Sequence, residues 1–258
     1  MPKKIGLALS GGGARGFAHI GVLKVLVENN VPIDMIAGTS AGSIIGGAFA
    51  SGMSIEDILA MAEKVGWTNM TRPSMSPIAM LSNAPMGRFL ASHFPVTRFE
   101  GIKIPFAAVA CDLRRGEEVV LRDKGDMIFA IQASCAVPGV FAPMTDEKGR
   151  TLIDGGAVSL TPTNAVRQLG ADVVIAVDLL ACGSNFLGKP RTALGMILQS
   201  ALILLSSSSK NQSNQADVSV EPRIAHLRAD QIGKRAEFIA LGEAIAQEKL
   251  GEILAAIQ

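Results

Sequence analysis

The stretch Met35-Ile36-Ala37-Gly38-Thr39-Ser40-Ala41-Gly42 decides how the rest of the chain is read. Three apolar residues run into Gly-x-Ser-x-Gly, and Ile44, Ile45, Ala48 and Phe49 follow at helical spacing as far as Gly52. The pattern predicts a strand, a sharp turn and a helix, with Ser40 at the apex. A serine on such a turn needs glycine on both sides, because a side chain there would clash with neighbouring backbone. Alone the motif is weak: three fixed positions of common residues recur by chance in roughly one chain in ten of this length. Ser40 as an N-cap that satisfies the first amides of the helix reads the motif by itself equally well.

The same order occurs once before it. Ile5-Gly6-Leu7-Ala8-Leu9 is a short apolar strand that enters Gly11-Gly12-Gly13-Ala14-Arg15-Gly16, and Ile20, Leu23, Val25 and Leu26 then recur as a helix that Asn29-Asn30-Val31-Pro32 ends. Further strands are predicted at Pro105 to Ala110, Glu118 to Leu121, Thr151 to Ile153 and Asp172 to Val177, and helices near Met127 to Ser134 and Thr163 to Leu169. This βα alternation predicts an α/β fold on a mostly parallel, covered sheet. The glycine turn at a helix N-terminus would present N–H groups beside a positive dipole end, the chemistry of an oxyanion hole for a nucleophilic Ser40. A rival reading is a dinucleotide site, since Gly11-x-Gly13-x-x-Gly16 fits that fingerprint and Asp34 lies 18 residues beyond Gly16. In such a site the acid stands at the carboxyl end of the second strand, whereas Asp34 precedes the strand that ends at Gly38.

The span 1–258 reads as one domain, with a Met-rich insertion or lid around 51–100 that holds Met70, Met75, Met80 and Met86 among Pro73, Pro77 and Pro85. Thioethers pack adaptably, which suits an acyl-chain pocket as well as a satellite core. Ser206 to Ser209 and the polar residues to Gln215 read as a loop or a mobile helix end. The segment Ala236 to Ile257 reads as a closing amphipathic helix, and no internal repeat is visible.

Hydrophobic residues at 48% and charged residues at 18% exclude disorder. With a net charge of +1 and both signs interspersed, no broad basic surface is expected for nucleic acid or anionic lipid. Met1-Pro2-Lys3-Lys4 followed by Ile5 to Leu9 is too soon interrupted to be an export signal, and Ala193 to Leu205 is broken by Gly195, Gln199 and Ser200 before it reaches the length of a span. Cys111, Cys135 and Cys182 show neither disulfide nor zinc spacing, which makes a reducing cytoplasm the expectation.

A nucleophilic serine also needs a base. His19 lies among apolar residues of the first helix, His93 beside Phe94-Pro95, and His226 in a late strand-like segment; none has local support. Ser40, Asp154 and His226 satisfy the Ser, Asp, His order of an α/β-hydrolase, but only one strand precedes Ser40 here. The other candidate is Asp154 itself, delivered by Leu152-Ile153 into Gly155-Gly156, unless it merely shapes that turn.

Together, the glycine turn with its basic residue, Gly-x-Ser-x-Gly on a second strand, Val109-Ala110-Cys111-Asp112-Leu113, the block from Ala133-Ser134 through Pro138 to Phe141-Ala142-Pro143, and Asp154-Gly155-Gly156 resemble the patatin-like phospholipases. The likeness covers Ile5 to about Leu179. It implies a three-layer α/β/α domain, a Ser40–Asp154 dyad that forms an acyl-enzyme without histidine, and an oxyanion hole at Gly11, Gly12 and Gly13. Arg15 would then fix that loop or meet a lipid phosphate. No cofactor or metal is implied. The expected substrate is a lipid ester, the expected location cytoplasmic with possible peripheral membrane contact, and no nucleic-acid partner is expected. Ser159 stands where the family's asparagine is expected and Cys111 where threonine is. A non-catalytic adaptor on the same scaffold is the alternative; the nucleophile, base and glycine turn, the parts such a protein would lose first, are all present.

Overall fold

The computed structural model describes residues 2–183 and 189–258, so that Met1 of the basic start lies outside the described residues. β1 (Ile5–Leu9) leads through a 3-10 turn at Gly13–Phe17 into α1 (Ala18–Glu28), and β2 (Met35–Thr39) leads into α2 (Ala41–Ala50). α3 (Ile55–Lys64) and the single-turn α4 (Trp67–Met70) precede a small hairpin, β3 (Arg72–Pro73) and β4 (Ala79–Ser82), followed by α5 (Ala84–His93). Next come β5 (Phe106–Asp112), β6 (Glu117–Arg122), α6 (Met127–Ser134), β7 (Gly139–Phe141), β8 (Met144–Thr145), β9 (Thr151–Asp154) and α7 (Thr163–Gln168). β10 (Val173–Val177), α8 (Ala193–Ser213), β11 (Val218–Val220) and α9 (Arg235–Ile257) complete the set.

The main sheet has the order β11-β10-β1-β2-β5-β9-β8, with β6 also on β5. From β11 to β5 every pairing is parallel; β6 and β9 run antiparallel to β5. β1, β2, β5 and β10 are buried along their whole length, as central parallel strands covered on both faces must be. Ile5, Leu7 and Leu9 belong to the core shared with α1, α2 and α9, whereas Ala8, Ala37, Val109 and Ala176 pack with Ala165 and Val166 of α7. Helices therefore cover both faces, and the expected α/β/α layering holds.

Three local expectations change. Ile55, Ile58 and Met61 of α3 and Met86, Phe89 and Leu90 of α5 are part of the main core, and Val65 and Met70 between these helices pack against it. The serine run is helix, not loop: Ser206 donates to the Leu180 carbonyl (3.2 Å), Ser209 pairs with the Thr161 hydroxyl (2.7 Å) and Ser213 with Ser219 (2.6 Å), partners outside the helix that offset the poor helical preference of serine. His226 sits in a turn after β11 and not in a strand. Among the described residues no helix is long and apolar enough to cross a membrane.

Candidate active site

β5 has two edges. β6 occupies one of them along Ala107 to Asp112, and β2 and β9 divide the other. β2 climbs beside β5 as far as the pair Thr39 and Val109, while β9 descends beside it as far as the pair Asp154 and Ala110. The two strands thus meet head-on at adjacent rungs, which brings Ser40 and Asp154 to one place from distant parts of the sequence. Gly155 lets the chain leave β9 tightly: a Cβ there would fall on the Val109 carbonyl.

Ser40 occupies the turn with φ 51° and ψ −122°, a conformation that favours glycine and costs a residue with a side chain about 1–3 kcal/mol. The surroundings hold it there. A Cβ on Gly38 would strike the Gly42 carbonyl, and one on Gly42 the Leu9 carbonyl, so helix α2 sits as close to β1 and β2 as backbone allows. The Ser40 N–H donates to Ser134 Oγ (2.8 Å), which donates onward to the Val109 carbonyl (2.6 Å), and the Ser40 carbonyl accepts from Ser43 Oγ (2.6 Å). The Ser40 side chain caps no amide of α2, which removes the N-cap reading of this residue.

Asp154 is buried, 6% exposed, and its carboxyl is only half satisfied. Oδ1 accepts from the Gly156 N–H (2.8 Å), whereas Oδ2 is buried without a hydrogen-bond partner. Burial pushes the carboxyl up to about 6, opposed by the Ser40 hydroxyl and the Gly156 amide, which both favour the ionised form. The Ser40 hydroxyl lies close enough to the carboxyl to favour its ionised form, although no hydrogen bond to Oδ2 is closed.

The glycine loop abuts this pair: a Cβ on Gly11 would lie 3.2 Å from Ser40 Cβ. Its three amides are not equivalent. The Gly11 N–H donates to the Leu160 carbonyl (3.1 Å), so Gly11 has no amide to offer an oxyanion, in contrast to the reading of all three glycines. Among the described residues no protein acceptor takes the N–H of Gly12 or Gly13. Arg15 is fully buried, and its guanidinium donates to the carbonyls of Leu227 (2.9 Å), Leu179 (3.2 Å) and Gly183 (3.2 Å). Of its two expected roles the geometry carries the loop strut; a phosphate could reach it only if the loop opened. Ser10 Oγ accepts from the Leu179 N–H (2.9 Å), and its carbonyl accepts from His19 Nε2 (2.8 Å), which ties the same loop to α1.

No histidine joins the pair. His19 serves Ser10, His93 bonds the Phe89 carbonyl through Nδ1 (2.8 Å), and His226 pairs with Glu237 (3.2 Å). Asp34 Oδ2 accepts from the Ile5 N–H (2.7 Å) at the opposite end of β1 from the glycines, where no dinucleotide ribose could meet both. Ser159 is buried and its carbonyl accepts from Thr39 Oγ1 (2.8 Å), and Cys111 is buried in β5. Ser134, which the sequence offered only as part of the Ala133-Ser134 block with no role attached, is fully buried at the end of α6 and holds the Ser40 turn.

The sequence profile of the patatin-like phospholipases matches residues 7–167. An uncharacterized NTE family protein of Mycobacterium tuberculosis is 36% identical over 179 residues, which cover 68% of this chain and 49% of that one. The human patatin-like phospholipase domain-containing protein 6 is 33% identical over 184 residues, 68% of this chain and 13% of its own length. The chain therefore spans half or less of the length of these curated relatives. VipD from Legionella pneumophila shares the fold with a TM-score of 0.60 at 14% identity, over 99% of this chain and 67% of that one.

Proposed function

The chain belongs to the patatin-like phospholipase family, and from that premise we propose that it is a lipid acyl hydrolase whose nucleophile is Ser40 and whose base is Asp154. The observation that carries the reading is the buried, partnerless Oδ2 of Asp154 beside a strained Ser40 turn. A buried carboxylate oxygen without a partner is costly to keep ionised, which raises its affinity for a proton.

In this mechanism Ser40 Oγ attacks the carbonyl carbon of a carboxylic ester as its proton passes to Asp154. The amides of Gly12 and Gly13 hold the oxyanion, an effect usually worth about 3–4 kcal/mol for each donor. Collapse of the tetrahedral intermediate breaks the bond to the alcohol oxygen, which leaves with the proton from Asp154. A water then gives its proton to Asp154 and attacks the acyl-serine; the fatty acid departs and the proton returns to Ser40. A carboxyl poised near 6 suits both directions of this exchange better than an ordinary aspartate would. The same reading takes the chain as one domain, because the largest core cluster draws on residues from Ile5 to Ile253 on one side of a sheet that also carries the second cluster.

A fluorophosphonate probe tests the reading. The expected product is an adduct on Ser40, located by peptide mass spectrometry and absent from Asp154→Asn. Folded protein that takes no label, or takes it on another serine, would exclude the dyad.

A further inference from the structure

The even bulk charge conceals an uneven distribution. Residues 64–99 contain Lys64, Arg72, Arg88 and Arg98 and no Asp or Glu; residues 179–216 contain Lys189, Arg191 and Lys210 and again no acid. Residues 127–145 between them in sequence carry no charged side chain at all. The middle segment contacts the Ser40–Asp154 site directly, and the other two are joined to chain next to it. The middle one supplies Ser134, which holds Ser40, and the Ala136 carbonyl, which accepts from the Asp154 N–H (2.9 Å). The hairpin of the first segment is joined to β7 through Ala79 with Gly139 and Leu81 with Phe141. α8 of the third is fixed to the loop just beyond Asp154: Gln212 accepts from the Thr161 N–H (2.9 Å) and donates to the Val158 carbonyl (3.0 Å).

The same two acid-free stretches hold most of the exposed apolar surface. Of the eleven large hydrophobic side chains exposed among the described residues, eight belong to them, with Met75, Ile78 and Met80 on the hairpin and Ile197, Ile203 and Leu204 on α8. Solitary exposed apolar residues need no explanation, but their concentration on two elements flanking one site does. We propose that these elements seat the protein on an anionic lipid surface, with the mouth of the site between them. Apolar side chains would enter the headgroup boundary, and Arg72, Arg88, Lys189, Arg191 and Lys210 would meet the lipid phosphates; Arg98 is paired with Glu100 and Lys64 adjoins Glu63, so neither is counted among them. A second copy of the chain fits worse, because a two-fold contact through this face would set its cations against one another. The inference rests on the lipid-ester reading and extends it to where the substrate is met.

The sole tryptophan, Trp67, lies on the first element and is half exposed, which makes it a native reporter. Binding is measured on Ser40→Ala, which cannot turn lipid over, by Trp67 emission and co-sedimentation with vesicles of phosphatidylcholine with and without phosphatidylglycerol. The expected result is a blue shift and sedimentation with the anionic vesicles, reduced by added salt. Ile197→Asp with Leu204→Asp, and separately Met75→Asp with Ile78→Asp, should each weaken it about tenfold or more. In the Ser40 background the same substitutions should leave the rate on a water-soluble short-chain ester unchanged, and their melting temperatures should match the parent. Binding to neither vesicle, equal binding to both, wild-type binding by the Asp variants, or a blue shift caused by self-association without vesicles would each overturn the proposal. Failure of the short-chain ester reaction in the unsubstituted protein would instead count against the dyad.

Discussion

At Ser40 two demands meet in one residue: the turn wants glycine and the chemistry wants a hydroxyl. Ser40→Ala and Ser40→Gly separate them. Both should lose ester turnover, but alanine keeps the Cβ and should leave stability nearly unchanged. Glycine relieves the strain at φ 51° and, after its larger unfolded-state entropy is deducted, should stabilise the fold by about 1 kcal/mol, read from denaturant melts. Equal stability of the two would mean that the turn stores no strain. Asp154 sets a second expectation at this scale. Because its carboxyl is held up to about 6, the basic form is lost on acidification, so kcat/KM on a soluble ester should rise with pH through about 6 along a single protonation step and then level. A midpoint near the ordinary aspartate value would show that burial does not tune this base.

At the scale of elements, the site is the place where β2 and β9 collide on one edge of β5, and α6 fastens the collision. Ser134 at the end of α6 links the Ser40 N–H to the Val109 carbonyl, so Ser134→Ala orphans a donor and an acceptor together. The expected cost is about 1–3 kcal/mol in stability, with a fall in kcat on a soluble ester and little change in KM. A variant that melts earlier but keeps kcat would make Ser134 a purely structural bolt. Much of this was legible in the sequence, for definite reasons. The strands β1, β2, β5 and β10 are short apolar runs because both faces are covered, and the glycines of the two turns mark close approaches, to backbone at Gly13, Gly38 and Gly42 and to side chains at Gly11, Gly12 and Gly16. What the sequence hid depends on partners far along the chain. The serine run of α8 is helix with hydroxyl partners outside it, Ser206 donating to the Leu180 carbonyl and Ser209 paired with Thr161, and Ser213 further on pairs with Ser219. The spent amide of Gly11 and the burial of Arg15 likewise follow from Leu160, Leu179 and Leu227, which no local pattern connects to them.

Across the whole molecule, buried titratable groups set opposing slopes on stability: Asp154 in the site and His19 behind its glycine loop oppose one another, and Asp178, also raised by burial, acts in the same direction as Asp154. The folded protein keeps the Asp154 proton up to about pH 6, whereas the unfolded chain releases it near pH ~4; in between the folded state binds more protons, so this group's contribution falls as pH rises. His19 acts the other way. Its Nε2 donates to the Ser10 carbonyl, its Nδ1 is buried without a partner, and burial lowers it to about 4, so the unfolded chain gains a proton from pH ~6.5 downward while the folded one stays neutral. Its contribution is present above pH ~6.5 and is lost as pH falls toward 4. Each effect amounts to about 3 kcal/mol over its window, and the windows largely coincide, so between about pH 4 and 6 the two nearly cancel. Removing either should therefore expose the other. Asp154→Asn should be more stable than the parent by about 2–3 kcal/mol at pH 8, and its melting temperature should fall steadily from pH ~6.5 to 4. His19→Gln, whose amide can still donate to Ser10, should show the reverse and gain stability as pH falls from about 6 to 4. Melting profiles of parent and both variants that run parallel across this range would mean that neither group titrates as its burial demands, and with that the argument for a tuned Asp154 would lose its support. Opposite slopes in the two variants would tie the acidity of the proposed base to the same burial that orders the loop beside it.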